Sequence, residues 1–176
     1  MNIVLTGFMG TGKSSVGRRL AERLGLKYAD TDDLVEARAG MTIKDIFGRF
    51  GETRFRRLEK EVIDGIISSS DGLVLSTGGG AVADDSTRRS LRSWGTVVCL
   101  TADVETILKR VGSGDERPLL DGADKREEAE ALLKKREAAY RDSDLMVDTS
   151  KNGAEEVIEK IVRFLSSPRP GKGGSP

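Results

Sequence analysis

A glycine-rich loop between an apolar segment and an amphipathic one is the feature that most limits the possible folds. Residues 7–14, Gly-Phe-Met-Gly-Thr-Gly-Lys-Ser, fit the pattern G-x-x-x-x-G-K-[ST]. A strand is predicted over Ile3–Thr6 and a helix over residues 14–24. In such a loop the backbone N–H groups point at phosphate oxygens, at the positive end of the helix. The loop therefore predicts phosphate binding, with contacts from Gly10, Thr11, Gly12, Lys13, Ser14 and Ser15.

Apolar segments and helical periodicity alternate along the rest of the chain. Five strands are predicted, over Ile3–Thr6, Lys27–Asp30, 73–77, Thr96–Thr101 and 145–149. Most of them are continuously aliphatic or β-branched, which is typical of parallel strands covered on both faces. Amphipathic helices are predicted between them, including residues 52–67 and a last helix that carries Val157 and Ile161. This alternation predicts an α/β three-layer fold, with a five-stranded parallel sheet flanked by helices.

Local signals divide the chain further. Helix starts are predicted at Thr42, Asp84, Asp124 and Asn152, from side chains that cap helices. The polar, glycine-containing segment 112–125 is long for a connection and is interpreted as a mobile lid. The proline- and glycine-rich segment 166–176 is predicted to be a disordered tail. Residues 1–165 then form one domain.

Composition excludes several classes of protein. The chain of 176 residues contains 29 Lys+Arg and 29 Asp+Glu, so broad electrostatic binding to nucleic acid is not expected. It contains no histidine, which excludes Ser-His-Asp hydrolases and HExxH metalloproteases. The single cysteine, Cys99, forms no internal disulfide and is interpreted as strand packing. No membrane segment or signal sequence is recognised, so a cytoplasmic protein without a membrane partner is expected. The neutral net charge and the absence of a long exposed apolar segment favour a monomer.

Two further segments carry candidate site residues. Asp30 and Asp32 end the second predicted strand, at the sheet edge where open α/β folds bind ligands. We expect the pair to share one side of an extended segment, one holding Mg²⁺ through water and the other accepting a hydroxyl proton. The alternative is that Asp32 and Asp33 only cap a helix. Three consecutive glycines, Gly78 to Gly80, follow the third strand and offer free N–H donors, although a flexible turn would look the same.

Taken together, the motifs resemble the shikimate kinases. The elements are the loop at 7–14, Asp30-Thr31-Asp32, Gly51-Glu52-x-x-Phe55-Arg56-x-x-Glu59, Gly78-Gly79-Gly80-Ala81-Val82, Arg117-Pro118-Leu119-Leu120 and Arg136-x-x-x-Tyr140. Their order and spacing are similar to that family over nearly the whole chain. The resemblance implies a kinase that transfers the γ-phosphoryl group of ATP to the 3-hydroxyl of shikimate, with Mg²⁺. The product would be 3-phosphoshikimate, in the pathway to chorismate and the aromatic amino acids.

The resemblance also implies residue roles on the substrate side. Asp32 would contact the ring hydroxyls and act as the catalytic base. Arg56 and Arg136 would bind the substrate carboxylate through paired donors, and Glu59 would hold Arg56 in place. Gly79, between Gly78 and Gly80, would donate its backbone N–H to the substrate.

On the nucleotide side, the resemblance gives Lys13 and Arg117 catalytic roles. Arg117, in the lid, would fold over the phosphates, and Arg110 would lie against the adenine. The metal would be held by Ser14 with Asp30 and Asp32, because the third strand ends in Ser76-Thr77 and lacks the Walker-B aspartate of many such proteins.

Other readings remain at this point. Another small-metabolite kinase of the same fold, for gluconate or a nucleoside monophosphate, would share the phosphate loop. A catalytically silent nucleotide-binding regulator would share it too. Three arginines outside the motifs, Arg88, Arg89 and Arg92, are expected to face solvent.

Overall fold

A five-stranded parallel sheet forms the centre of the computed structural model, which describes residues 1–111 and 124–167. The strands are β1 (Ile3–Thr6), β2 (Lys27–Asp30), β3 (Leu73–Ser76), β4 (Thr96–Thr101) and β5 (Leu145–Asp148), in the order β2-β3-β1-β4-β5. Strand β1 pairs with β3 and β4, with Leu5 opposite Ser76 and Val98. The predicted strands are confirmed, with β3 and β5 each one residue shorter at the end.

Seven α-helices of the described residues cover the two faces of this sheet. They are α1 (Lys13–Leu24), α2 (Thr31–Ala39), α3 (Ile43–Ser69), α4 (Asp85–Trp94), α5 (Val104–Val111), α6 (Lys125–Arg141) and α7 (Ala154–Ser166). One apolar cluster joins the sheet to α3, α4, α5 and α6, and a second joins the opposite face to α1 and α7. A third cluster lies between α2 and α3. The predicted three-layer α/β fold is confirmed.

The carboxyl ends of the parallel strands meet at one edge of the sheet, and this edge carries the candidate site. The glycine loop follows β1, Asp30 ends β2, and the three glycines follow β3. A short 3-10 turn, Ala81–Ala83, leads from these glycines towards α4. None of the described helices is long and apolar enough to cross a membrane.

Helix starts agree with the capping signals except at one position. The side chains of Thr42, Asp84 and Asp124 each accept the backbone N–H three residues ahead, as predicted. The prediction for Asn152 is wrong, because α7 begins after Gly153, which makes no side-chain cap. The Asn152 amide instead donates to the Asp148 carbonyl (2.7 Å) and closes the turn after β5.

Helix α3 contains a break at Gly51, where φ is 76° and ψ is 175°. A side chain at such angles is strongly strained, so the break depends on glycine. The predicted helix 52–67 corresponds to the second part of α3, which ends at Ser69. Both parts of α3 pack with α2 in the third cluster, and the second part also packs on the sheet and carries Arg56 and Glu59.

The ends of α3 and α4 are joined by the only tryptophan of the sequence. The indole N–H of Trp94, the last residue of α4, donates to the carbonyl of Ser70 (3.3 Å), which follows α3. Its ring packs against the cluster on this face of the sheet. Residues 112–123, which include Arg117 and nearly all of the expected lid, lie outside the described residues, as do residues 168–176 of the expected tail. Lys125, placed in that lid, is the first residue of α6.

Candidate active site

The glycine loop is held in shape by its own backbone and by β4. Gly7, Gly10 and Gly12 have φ values of 132°, 73° and 88°. A Cβ on Gly7 would lie 2.1 Å from the carbonyl oxygen of Leu100, so no larger residue fits there. The ammonium group of Lys13 donates to the carbonyls of Gly7 and Phe8, both at 2.9 Å. Lysine and loop together therefore form a compact cradle at the N-terminus of α1.

Asp30 lies beside this cradle and accepts three hydrogen bonds. Its Oδ2 accepts from the hydroxyls of Ser14 (2.7 Å) and Tyr28 (3.0 Å), and its Oδ1 accepts from the backbone N–H of Asp32 (3.1 Å). Burial and the neighbouring Asp30 carboxylate raise the pKa of Tyr28 to about 12, so this phenol stays a donor. These three hydrogen bonds fix the orientation of the Asp30 carboxylate beside the loop.

Asp30 also caps α2, which corrects the expected arrangement of the acidic pair. Helix α2 begins at Thr31, so Asp30 and Asp32 do not lie on one extended segment. The capping residue is Asp30, rather than Asp32 or Asp33, because its Oδ1 accepts the N–H of Asp32. The two carboxylates still line the same cleft, since one ends β2 and the other stands in the first turn of α2.

Thr31, between the two acids, ties them to the glycine turn. Its buried hydroxyl accepts the backbone N–H of Gly78 (2.8 Å). Asp32 lies next to the same glycine, because its Oδ1 would be 3.1 Å from a Cβ on Gly78. The cleft that results holds both acids, the loop and the glycine turn, and is lined by Gly10, Gly12, Lys13, Ser14, Ser15, Asp30, Asp32, Thr77, Gly78 and Gly79.

Arg56 reaches the glycine turn from α3. Its Nη1 donates to Glu59 Oε2 (2.7 Å) and its Nη2 to Glu52 Oε1 (3.2 Å). The guanidinium lies directly over Gly80, where an added Cβ would be 2.3 Å from Nη2. These two carboxylates raise the pKa of Arg56 against the opposing effect of burial. A permanent positive charge is therefore fixed over the turn.

Arg136 reaches the same turn from α6. It is buried, only 6% exposed, and its Nη1 would lie 3.6 Å from a Cβ on Gly79. Its guanidinium stands 6.0 Å from the ring centroid of Phe8 in the glycine loop. One turn later on α6, the Tyr140 hydroxyl donates to the carbonyl of Gly79. Burial raises the pKa of Tyr140 to about 12, so this hydroxyl remains a donor.

Glu59 is the least solvated carboxylate of the site. The residue is 2% exposed, and its Oε1 has no hydrogen-bond partner. Burial raises the pKa of Glu59, more than the contact with Arg56 lowers it, and the Asp32 carboxylate adds to the rise. A Cβ on Gly78 would lie 2.3 Å from this oxygen, which explains why glycine occupies that position.

Arg110 reaches the glycine loop from α5. Its Nη1 donates to the Gly10 carbonyl (3.1 Å) and to the Thr149 hydroxyl (3.0 Å), and its Nη2 to the Thr149 carbonyl (2.8 Å). Thr149 is buried and its hydroxyl also donates to the carbonyl of Thr11 (3.1 Å). The guanidinium is therefore anchored between the glycine loop and the residue that follows β5.

The donors that could hold a divalent cation are few. The described residues contain no group of three or more Asp, Glu, Cys or His arranged to hold a metal ion. Ser14, Asp30 and Asp32 offer one hydroxyl and two carboxylates around the cleft. This oxygen set fits Mg²⁺, which keeps several waters and takes its remaining ligands from phosphates.

The sequence alone did not predict several contacts that build the site. Tyr28, Thr31 and Thr149 had no assigned role, and Tyr140 was recognised only as part of a motif. The spacing of Arg136 and Tyr140 does place both on one helix face, so that signal was present. The contact between Thr149 and the loop has no local signal, because the two partners are 138 residues apart.

Comparison with known proteins identifies the family of this chain. A family model described as shikimate kinase matches residues 9–166. A shikimate kinase of Geobacter sulfurreducens is 49% identical over 164 residues, which cover 93% of this chain and 90% of that protein. The chain belongs to the shikimate kinase family. A second member, from Geobacter metallireducens, is 45% identical over 93% of this chain and 91% of its own length.

Solved shikimate kinases share the fold. The shikimate kinase of Acinetobacter baumannii, determined in complex with shikimate, is 38% identical and has a TM-score of 0.89. The match covers 93% of this chain and 92% of that chain. The resemblance that the motifs indicated is therefore confirmed, together with the three-layer fold of a shikimate kinase.

Proposed function

We propose that this protein transfers the γ-phosphoryl group of ATP to the 3-hydroxyl of shikimate, giving 3-phosphoshikimate in the pathway to chorismate and the aromatic amino acids. One observation carries the proposal beyond family membership. Arg56 and Arg136 approach the same turn of three glycines from different helices, and Asp32 lies at the start of that turn. Two cations beside one carboxylate suit a substrate that carries both an acid group and ring hydroxyls.

The substrate carboxylate binds between Arg56 and Arg136. Guanidinium groups offer parallel N–H donors to the two carboxylate oxygens, which fixes the orientation as well as the charge. Both arginines are held before substrate arrives, one by Glu59 and Glu52, the other by burial in α6. The backbone N–H of Gly79, between Gly78 and Gly80, adds a donor to the substrate. Little ordering is then needed when shikimate binds.

The nucleotide binds on the loop side of the cleft. The backbone N–H groups of Gly10, Thr11, Gly12, Ser14 and Ser15 cradle the phosphates, at the N-terminus of α1. Lys13 leaves the carbonyls of Gly7 and Phe8 and bonds the β- and γ-phosphates. Arg110, anchored by Gly10 and Thr149, presents its guanidinium to the adenine. Arg117, outside the described residues, closes over the phosphates and stabilises their developing charge.

Asp32 accepts the proton of the attacking hydroxyl. The chain contains no histidine, so a carboxylate is the natural base at neutral pH. The hydroxyl oxygen forms a bond to the γ-phosphorus as the bond from that phosphorus to the β,γ-bridging oxygen breaks. ADP leaves with that oxygen, and the hydroxyl proton moves to Asp32.

Mg²⁺ fits this scheme as a partner of the phosphates. Ser14, Asp30 and Asp32 would hold it, directly or through water, and when bound it would neutralise the charge of the β- and γ-phosphates. Segment 112–125 acts as the lid that keeps water from the γ-phosphate. We further propose that the enzyme is a cytoplasmic monomer.

ADP release tests the substrate assignment. The purified protein is given ATP and MgCl₂ with shikimate, gluconate or each of several nucleoside monophosphates, in separate reactions. We expect release that depends on shikimate alone and that stops when EDTA removes the metal. Release with another acceptor but not with shikimate would contradict the proposed substrate. Nucleotide binding without release on any acceptor would point to a silent member of the family.

A further inference from the structure

Arg88, in the first turns of α4, contacts both elements that carry the proposed substrate site: the segment after the glycine turn and the end of α6. The sequence-based expectation that Arg88 faces solvent is wrong. Its side chain is 19% exposed and its guanidinium has three acceptors on three parts of the chain. They are Asp85 Oδ1 (2.8 Å), Asp142 Oδ2 (3.0 Å) and the carbonyl of Val82 (3.0 Å).

The Val82 carbonyl belongs to the segment that follows the glycine turn. The N–H of Ala81 donates to Gly78 (3.1 Å) and the N–H of Ala83 to Gly80 (3.1 Å), so turn and segment form one unit. Val82 itself is 1% exposed and packed in the core. By bonding its carbonyl, Arg88 is attached to the backbone that presents Gly79 and Gly80.

The Asp142 carboxylate belongs to the end of α6. Asp142 follows the last residue of that helix, and Arg92 of α4 also binds it, through the carbonyl (2.9 Å) and Oδ1 (3.1 Å). Tyr140 and Arg136 precede Asp142 by two and six residues, which at about 1.5 Å per residue is at most about 9 Å of helix. The end of α6 that carries the substrate arginine is therefore fixed through α4.

We propose that Arg88 is a positioning residue that sets the distance between Arg136 and the glycine turn. Its planar guanidinium donates hydrogen bonds to both elements at fixed angles, which holds their geometry better than the single flexible ammonium group of a lysine would. The hydrogen bond from Tyr140 to Gly79 joins the same two elements directly, so that Tyr140 and Arg88 together form a frame of two links between α6 and the glycine turn. This inference rests on the proposed function, because the frame is assigned a role in binding the shikimate carboxylate.

Kinetics of Arg88→Met test the role, with Arg89→Met as the matched control. Arg89 is the next residue of α4 and is exposed. We expect Arg88→Met to raise the shikimate KM about tenfold, because small displacements of a positioned group are costly, while the ATP KM stays within about twofold. Arg88→Lys is expected to fall between wild type and Arg88→Met. Calorimetric titration with shikimate and with ADP measures the same split without turnover.

Asp142→Asn examines the other end of the link and also serves if Arg88→Met does not fold. We expect it to raise the shikimate KM in the same direction, and the double variant to raise it by less than the product of the two single effects, because the two substitutions share the Arg88 link while Asp142→Asn also loses the ion pair with Arg92. The inference is overturned if soluble Arg88 variants keep the wild-type shikimate KM, if ATP and shikimate binding weaken equally, or if the two substitutions multiply. Failure of the wild-type enzyme to use shikimate contradicts the proposed function instead.

Discussion

Asp32 and Glu59 both lie close to Gly78, within about 3 Å of the position a Cβ would take there, but in different environments. Asp32 lines the open cleft, whereas Glu59 is buried and bound to Arg56. In the proposed mechanism the base must meet the reacting hydroxyl, a position that Asp32 in the cleft offers and buried Glu59 does not. A residue that holds an arginine must be fixed, which burial provides for Glu59. The two carboxylates therefore suit separate tasks in the proposed mechanism, although they are only a few ångströms apart.

Asp32→Asn is predicted to abolish most turnover while leaving nucleotide binding intact. The amide keeps the shape of the side chain but does not accept the hydroxyl proton, so kcat should fall by about 10²- to 10⁴-fold. Steady-state kinetics and an ADP titration measure the two effects. Asp33→Asn is the control, because Asp33 is exposed and only distantly paired with Arg18 (3.8 Å). A kcat near the wild-type value for Asp32→Asn would remove it from the role of base.

Gly80→Ala is predicted to weaken shikimate binding specifically. Gly80 has φ −105° and ψ −6°, which alanine adopts, so the effect arises from the clash with Arg56 rather than from the backbone. The displaced guanidinium should raise the shikimate Kd by about tenfold or more, at about 1.4 kcal/mol per tenfold. The ADP Kd should not change. Titration calorimetry measures both, with Gly65→Ala as the control because an added Cβ there meets nothing within 4 Å. Equal shikimate affinities would mean that Arg56 does not bind the substrate.

Glu59→Gln is predicted to gain stability at neutral pH and lose affinity for shikimate. The pKa of Glu59 is raised by burial, so its stabilising contribution is present below the unfolded value of 4.5 and declines as the pH rises through the folded value. The variant should therefore match wild type near pH 4 and melt at a higher temperature at pH 7. Its shikimate Kd should rise, because a neutral amide holds Arg56 less firmly. Thermal unfolding at both pH values checks the sign, and a variant less stable at pH 7 would contradict it.

At the scale of elements, the broken helix α3 shows how one residue directs a helix. Gly51→Ala is predicted to destabilise the fold by about 1–3 kcal/mol, because the backbone there is accessible essentially to glycine alone. Urea unfolding measures the change, and Gly48→Ala is the control within the same helix, where an added Cβ meets nothing within 4 Å. The control should be neutral or slightly stabilising. Equal losses in both variants would show that the break is not the cause.

Elements were predictable where a local pattern determines them. The three inner strands, β1, β3 and β4, are buried on both faces, so each appears in the sequence as a nearly unbroken apolar or β-branched segment with clear ends. Capping by Thr42 and Asp124 involves partners three residues apart and was predicted for the same reason. The start of α2 was not, because an Asp can end a strand, cap a helix or do both, and Asp30 does both. The partners of Arg88 were also missed, because Asp142 is 54 residues away.

At the scale of the whole molecule, two buried acids make the fold sensitive to alkali. Burial raises the pKa of Cys99 from 9.0 and that of Tyr140 from 10.0, each to about 12, and both belong to one core cluster. Their neutral forms are favoured by folding, so their contribution is present below pH 9 and is lost as the pH rises to 12. Stability should fall by up to about 1.4 kcal/mol per pH unit for each group.

Urea unfolding at pH 8, 9, 10 and 11 measures this decline. Cys99→Ala should flatten the slope of the unfolding free energy against pH, because the variant has one fewer group that releases a proton on unfolding. Arg89→Met, a surface change, should follow the wild-type slope and serves as the control. Parallel curves for Cys99→Ala and wild type would show that the thiol does not contribute.

Because its indole N–H binds the carbonyl of Ser70, Trp94 is also an optical probe of α3 and α4, the helices behind the candidate site. The single indole sits where the ends of α3 and α4 meet, and these helices carry Arg56 and Arg88. Its fluorescence comes from one known place, without contributions from other tryptophans. Emission at long excitation wavelengths can therefore be followed during unfolding and ligand titration without an attached dye, and its spectrum reports on the junction of the two helices.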